Sequence, residues 1–90
     1  MRDVLIDFRE YTDKREMHEI IRRQLELPEW YGANLDALWD ALLGITELPL
    51  HVCIISKKEK SPDMAVERII DTFVDASQEN SDITVEIIKE

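Results

Sequence analysis

Cysteine is all but missing from this chain: Cys53 stands alone, so no internal disulfide can form, and no cysteine–histidine spacing of a zinc site occurs. Two glycines and three prolines are too few for collagen-like or low-complexity segments. Gly-rich phosphate loops, a His-Glu-x-x-His helix and a serine nucleophile elbow are all absent. Apolar stretches last only a few residues, far below the roughly 20 that a membrane helix needs, and Met1-Arg2-Asp3 with Asp7 close behind makes no signal-peptide core. A reducing, cytoplasmic setting without export is expected. The largest gap is in positive charge, because residues 24–56 contain no Lys or Arg.

What is present suits one domain spanning residues 1–90. With 44% hydrophobic residues the 90-residue chain has apolar mass for a core, and a domain this small buries about two-thirds of its unfolded surface. Twenty Asp and Glu against eleven Lys and Arg give a net charge of −9. That charge opposes attraction to nucleic-acid phosphates or anionic lipid and favours a basic protein partner. The acidity is local: residues 1–23 sum to zero, 24–56 to −5, 57–70 to +1 and 71–90 to −5.

Three β-branched segments, Val4-Leu5-Ile6, His51 to Ile55 and Ile83 to Ile88, read as strands. Between the first two, Thr12 or Asp13 caps a helix on which Met17, Ile20, Ile21 and Leu25 recur at helical spacing. Leu27-Pro28 breaks that pattern, and Gly32 is the expected turn residue of a loop carrying Trp30 and Tyr31. Asn34 caps a second helix of about ten residues, with Gly44 as its expected left-handed terminator. Ser61-Pro62-Asp63 starts a third, amphipathic helix that ends near Asn80. The order strand-helix-helix-strand-helix-strand requires crossovers, hence an α/β fold: a small three-stranded parallel sheet with three to four helices packed on it.

Candidate chemistry is sparse. His18, flanked by Glu16 and Glu19, is expected at the surface or its boundary, His51 in a structural or solvent-facing place, and Cys53 in the core as a small hydrophobe. Calcium-loop spacing is missing, and a glycosidase cleft needs a larger domain, so no metal, cofactor or catalytic residue is assigned. One constellation stands out, from Trp30 to Asp40. At about 100° per residue, Leu35, Leu38 and Leu42 face one way, Asp36 and Asp40 share another face, and Trp39 lies on the border. Two readings fit: a solvated acidic face, or an interface core prepared for Arg and Lys from a partner.

Leu27-Pro28-Glu29-Trp30-Tyr31-Gly32-Ala33-Asn34-Leu35-Asp36-Ala37-Leu38-Trp39-Asp40, followed by Gly44 and Glu47-Leu48-Pro49-Leu50, resembles the barstar family of intracellular inhibitors of barnase-type ribonucleases. Asp82-Ile83-Thr84-Val85 resembles that family's last strand. The resemblance implies the same three-stranded α/β fold, with one short helix lost where Lys57 to Ser61 is shortened. It implies inhibition by occlusion without catalysis, an acidic helix and its preceding loop filling a basic substrate cleft. Asp40 matches the family's central acid and Asp36 a second one, while Asn34, Leu35, Trp39 and Gly44 match contact positions unchanged. Trp30 stands in place of a stacking tyrosine, Ile45 in place of a rim tryptophan, Ala33 in place of an acid, and Asp75 in place of a glutamate on the last helix. The family's two cysteines are replaced by Ala41 and Ser81.

The implied function is inhibition of a barnase-like, guanyl-preferring ribonuclease, an antitoxin-like role. The alternative is a non-inhibitory interaction module that uses the same face on another basic protein. A small acidic chain of this kind is expected to be monomeric when free.

Overall fold

Along one strand, Leu50, Val52, Ile54 and Ser56 are buried while His51, Cys53 and Ile55 between them are only partly covered. Neighbouring strand residues point to opposite faces, so this alternation means a sheet sealed on one side and lightly covered on the other. A computed structural model, describing residues 2–10, 13–59 and 64–90, gives the order β1 (Arg2–Asp7), α1 (Lys14–Gln24), α2 (Leu35–Gly44), β2 (Leu50–Ser56), α3 (Ala65–Glu79) and β3 (Ile83–Lys89). β2 lies between β1 and β3 and pairs in parallel with both. Both crossovers therefore step across the sheet in the same direction, and right-handed connections put all three helices on one face.

Register aligns Val4, Val52 and Val85 in one inward row and Ile6 and Ile54 in the next, whose β3 member, Ile87, is left exposed at the edge. Met17 and Ile21 of α1 with Leu25 at its end, Leu38 and Leu42 of α2, and Ile69 and Phe73 of α3 close over these rows as one core. α1 packs beside β1, α3 beside β3, and α2 lies against α3. This is the expected three-stranded parallel α/β fold, with three helices among the described residues. No helix described here is long and apolar enough to cross a membrane.

Local signals are borne out where side chains cap helices. The Glu16 N–H donates to Asp13 Oδ1 at 2.8 Å at the start of α1, and the Ala37 N–H donates to Asn34 Oδ1 at 2.8 Å at the start of α2. α1 ends with the Leu27 N–H on the Arg22 carbonyl at 2.8 Å and the Glu26 N–H on the Arg23 carbonyl at 3.2 Å. That pair of bonds is a Schellman termination, and Glu26 takes the left-handed position at φ 55°. The expected start of the last helix at Ser61 to Asp63 lies outside the described residues; α3 runs from Ala65, after a left-handed Met64. Lys57 to Glu59 form no helix.

Four expectations need correction. Gly44 is not a left-handed terminator: no glycine has positive φ, and Gly44 is the last residue of α2. Gly32 does not make the left-handed turn either, since Ala33 does so at φ 51°. Gly32 is favoured by space instead, for a Cβ there would come within 3.2 Å of the Ala37 Cβ, a tight contact. Cys53 is not a core residue but half-covered on the face away from the helices, in a row with Leu5 and Glu86. His18 is not at the surface; it is buried, 5% exposed.

Ser56 ends the inward row of β2 with its hydroxyl buried and unpaired among the described residues. An orphan buried polar group destabilises, so Ser56→Ala should raise unfolding free energy by about 1 kcal/mol. Urea denaturation would register this as a higher midpoint at unchanged slope.

Candidate partner-binding face

The loop ahead of α2 carries two adjacent aromatics that must point apart. Tyr31 turns inward: its N–H donates to the Pro28 carbonyl at 3.0 Å, its ring packs on the core, and its Oη shares a 2.8 Å hydrogen bond with His18 Nδ1. The two rings sit 5.8 Å apart, tilted by 49°. Burial raises the Tyr31 hydroxyl above the ordinary phenol range and lowers the His18 pKa below its usual 6.5, so both groups are neutral near pH 7. With Tyr31 anchored, Trp30 is thrown outward and is 75% exposed. Asn34 fixes the end of the loop twice, capping α2 and donating from Nδ2 to the Gly32 carbonyl at 3.2 Å.

α2 buries Leu38, Ala41 and Leu42 and leaves Asp36, Asp40 and Gly44 exposed on its opposite side. Trp39 lies between, half-buried with one flank against the core, in agreement with its border position in the sequence. Leu35 at the start of the helix and Ile45 just past its end are large apolar groups left 37% and 45% exposed. No described residue makes an ion pair or hydrogen bond with the Asp36 or Asp40 carboxylate. Asp75, exposed near the end of α3, is unpaired as well and belongs to the helix on which α2 rests.

Trp30, Asn34, Leu35, Asp36, Trp39, Asp40, Gly44 and Ile45 therefore lie on one continuous loop and helix, with only Asp75 supplied by another element. Such a surface is chemically simple. It offers carboxylates without counter-charges beside exposed apolar groups, which suits a cationic protein cleft. No group of three His, Cys, Asp or Glu among the described residues could hold a metal ion. His51 lies on the open face of the sheet, its Nδ1 3.0 Å from Asp3 and its Nε2 3.7 Å from Glu86.

Sequence reasoning missed His18 as the anchor of the loop. The signal was present: on a helical projection His18 falls about 20° from Leu25, inside the apolar stripe of α1.

The family model for Barstar (barnase inhibitor) matches residues 1–88. Over 54 residues the chain is 44% identical to "Putative ribonuclease inhibitor YrdF" of Bacillus subtilis (strain 168). That alignment covers 60% of this chain and 59% of the relative.

The buried His18–Tyr31 pair has a consequence for acid stability. A depressed folded-state pKa means that His18 contributes its full stability above the unfolded value near 6.5, and loses it as pH falls toward the lower folded value. Unfolding free energy should therefore drop between pH 7 and pH 5 in the wild type and drop less in His18→Gln. Tyr31→Phe, which removes only the hydroxyl, should destabilise by about 1 kcal/mol at pH 7. Thermal and urea unfolding across pH would check both.

Proposed function

The chain belongs to the barstar family, and from that premise we propose that it inhibits a barnase-like, guanyl-preferring microbial ribonuclease by filling the enzyme's basic active-site cleft. The observation that carries this reading is the pair of unpartnered carboxylates, Asp36 and Asp40, on an exposed helix face flanked by Trp30, Leu35 and Ile45. A ribonuclease cleft gathers cations to hold RNA phosphates, and carboxylates at those places compete for the same charges without offering a bond to cleave. The inhibitor has no reaction to perform; it needs shape, negative charge and a rigid base for both. Tyr31 and His18 supply the base, Asp36 and Asp40 the charge, and Trp30 a flat ring for the mouth of the cleft.

Long-range electrostatics support the same reading. Residues 24–56 include every residue of the face except Asp75 and carry no Lys or Arg, so the chain's field is negative where the partner must dock. Asp75 extends the negative surface onto α3. In this reading the free inhibitor is a cytoplasmic monomer that protects the cell making the ribonuclease.

A second reading has its own observation. Position 33 is Ala and carries no charge, and Ile45 gives the rim of the face an aliphatic group. Both would suit a basic protein whose pocket differs from that of barnase, bound through the same face without inhibition of RNA cleavage.

Two outcomes test the first reading. Asp36 and Asp40 are neighbours on one helix face and repel, so Asp40→Asn should leave stability unchanged or raise it by a few tenths of a kcal/mol. In the complex the same change should weaken inhibition by roughly 30-fold to several thousand-fold, the range for desolvated interface charge pairs in general, this family's among them. Urea unfolding and RNA-cleavage assays on one preparation would separate the effects; a destabilised variant that inhibits normally would make Asp40 a structural residue. Association measured by stopped flow should slow steeply as salt rises from low to physiological concentration, because steering is screened.

A further inference from the structure

Asn34 and Leu35, the first residues of the proposed inhibitory helix segment, also line a cavity of about 190 Å³ shared with Lys14 and His18 of α1 and Arg68 and Ile69 of α3. Lys14 and Arg68 are exposed, and neither forms an ion pair with a described residue. Arg15, Lys57, Lys58 and Lys89 are likewise without an ion pair among the described residues, so what sets Lys14 and Arg68 apart is that two such cations line one cavity. Arg2, Arg9, Arg22 and Arg23 are all paired with acids. Here two unpaired cations, distant in sequence, meet at one hollow floored by Leu35, Ile69 and alanine methyls.

His18 adds a third polar group. Its ring is buried, its Nδ1 is taken by Tyr31, and its Nε2 has no partner among the described residues. The hollow thus combines an apolar floor with cationic walls and is continuous, through Asn34 and Leu35, with the acidic face.

We propose that this hollow receives an Asp or Glu side chain of the bound ribonuclease, its carboxylate held by Lys14 and Arg68 and its aliphatic stem lying on Leu35 and Ile69. The assignment rests on the inhibitor reading above and adds an opposite polarity to it. An apolar floor favours a carboxylate carried on a methylene stem over a fully hydrated free anion. The complex then has two charge contacts of opposite sign on either side of Leu35, which fixes the direction in which the inhibitor can dock.

The test exploits a conflict of signs. Replacing both cations in Lys14→Ala/Arg68→Ala takes the net charge from −9 to −11. Long-range steering alone would make that variant associate with a basic ribonuclease at least as fast and inhibit at least as well. A carboxylate seated between Lys14 and Arg68 would instead make it dissociate about tenfold faster and inhibit correspondingly less, despite the added negative charge. Both side chains are exposed, so unfolding midpoints should move little and will confirm that the variant is folded.

Wild type, Asp40→Asn and the double variant should be compared against barnase and other secreted guanyl-preferring ribonucleases, by stopped-flow association and by dissociation rate. Faster dissociation of the double variant, restored in Lys14→Arg/Arg68→Lys, is the expected result. Dissociation unchanged in the double variant, with Asp40→Asn weakened, would overturn this inference and leave the inhibitor reading standing. A wild type that inhibits none of these enzymes would overturn both.

Discussion

Parallel pairing on both sides of β2 is the constraint from which the rest of the structure follows. Parallel neighbours cannot be joined by tight turns, so each connection must climb back over the sheet, and both climb over the same face. The helices are thereby confined to one layer, where α1 and α3 take the sheet and α2 lies against α3. α2 is the helix with surface to spare. Its apolar stripe needs only Leu38, Ala41 and Leu42 to hold it, which leaves the opposite side free to carry charges that the fold itself does not use.

Those charges run against local stability, while the parts that position them favour it. Tyr31 and Asn34 are satisfied groups: ring against core, hydroxyl to imidazole, amide to backbone. Asp36 gains from its place in the first turn of α2, but Asp40 one turn later meets only a like charge. Agreement between local preference and global fold is the rule in foldable sequences, and a departure from it marks a place shaped by something other than folding. Ala33 belongs to the same category, because a non-glycine residue at φ 51° is disfavoured locally and is held there by the loop between two fixed points, Tyr31 and the Asn34 cap.

Much of this arrangement was legible in the sequence, for identifiable reasons. Strand positions followed from β-branched runs and helix starts from the Thr12-Asp13 pair and Asn34, since both are local effects. The acidic face followed from helical spacing alone. What could not be read depended on distant partners. A continuous apolar run through Cys53 looks like a strand buried on both faces, as in larger parallel sheets, yet with helices on one side only, alternate residues stay half-covered. The sequence places Trp30 and Tyr31 side by side without saying which turns inward; His18, on another helix, decides it. The left-handed turn expected of Gly32 falls to its neighbour Ala33, while Gly32 sits close to the Ala37 side chain.

Burial of His18 also explains why the loop and α1 act as a unit. The ring bonds Tyr31, and it lines the hollow bounded by Lys14, Leu35 and Arg68, so the same imidazole stands beneath both the aromatic loop and the cationic recess. Loss of its packing would free the loop that aims Trp30 and would disturb the floor beside Leu35 together. The aromatic loop and the cationic recess therefore share one side chain, although they lie on different elements. A surface with both signs in fixed relation is more selective than a uniformly acidic one. Under the proposed reading, any basic protein would be attracted to the latter, whereas a cleft would have to present cations to Asp36 and Asp40 and an acid to the recess in the correct relative position to satisfy the former.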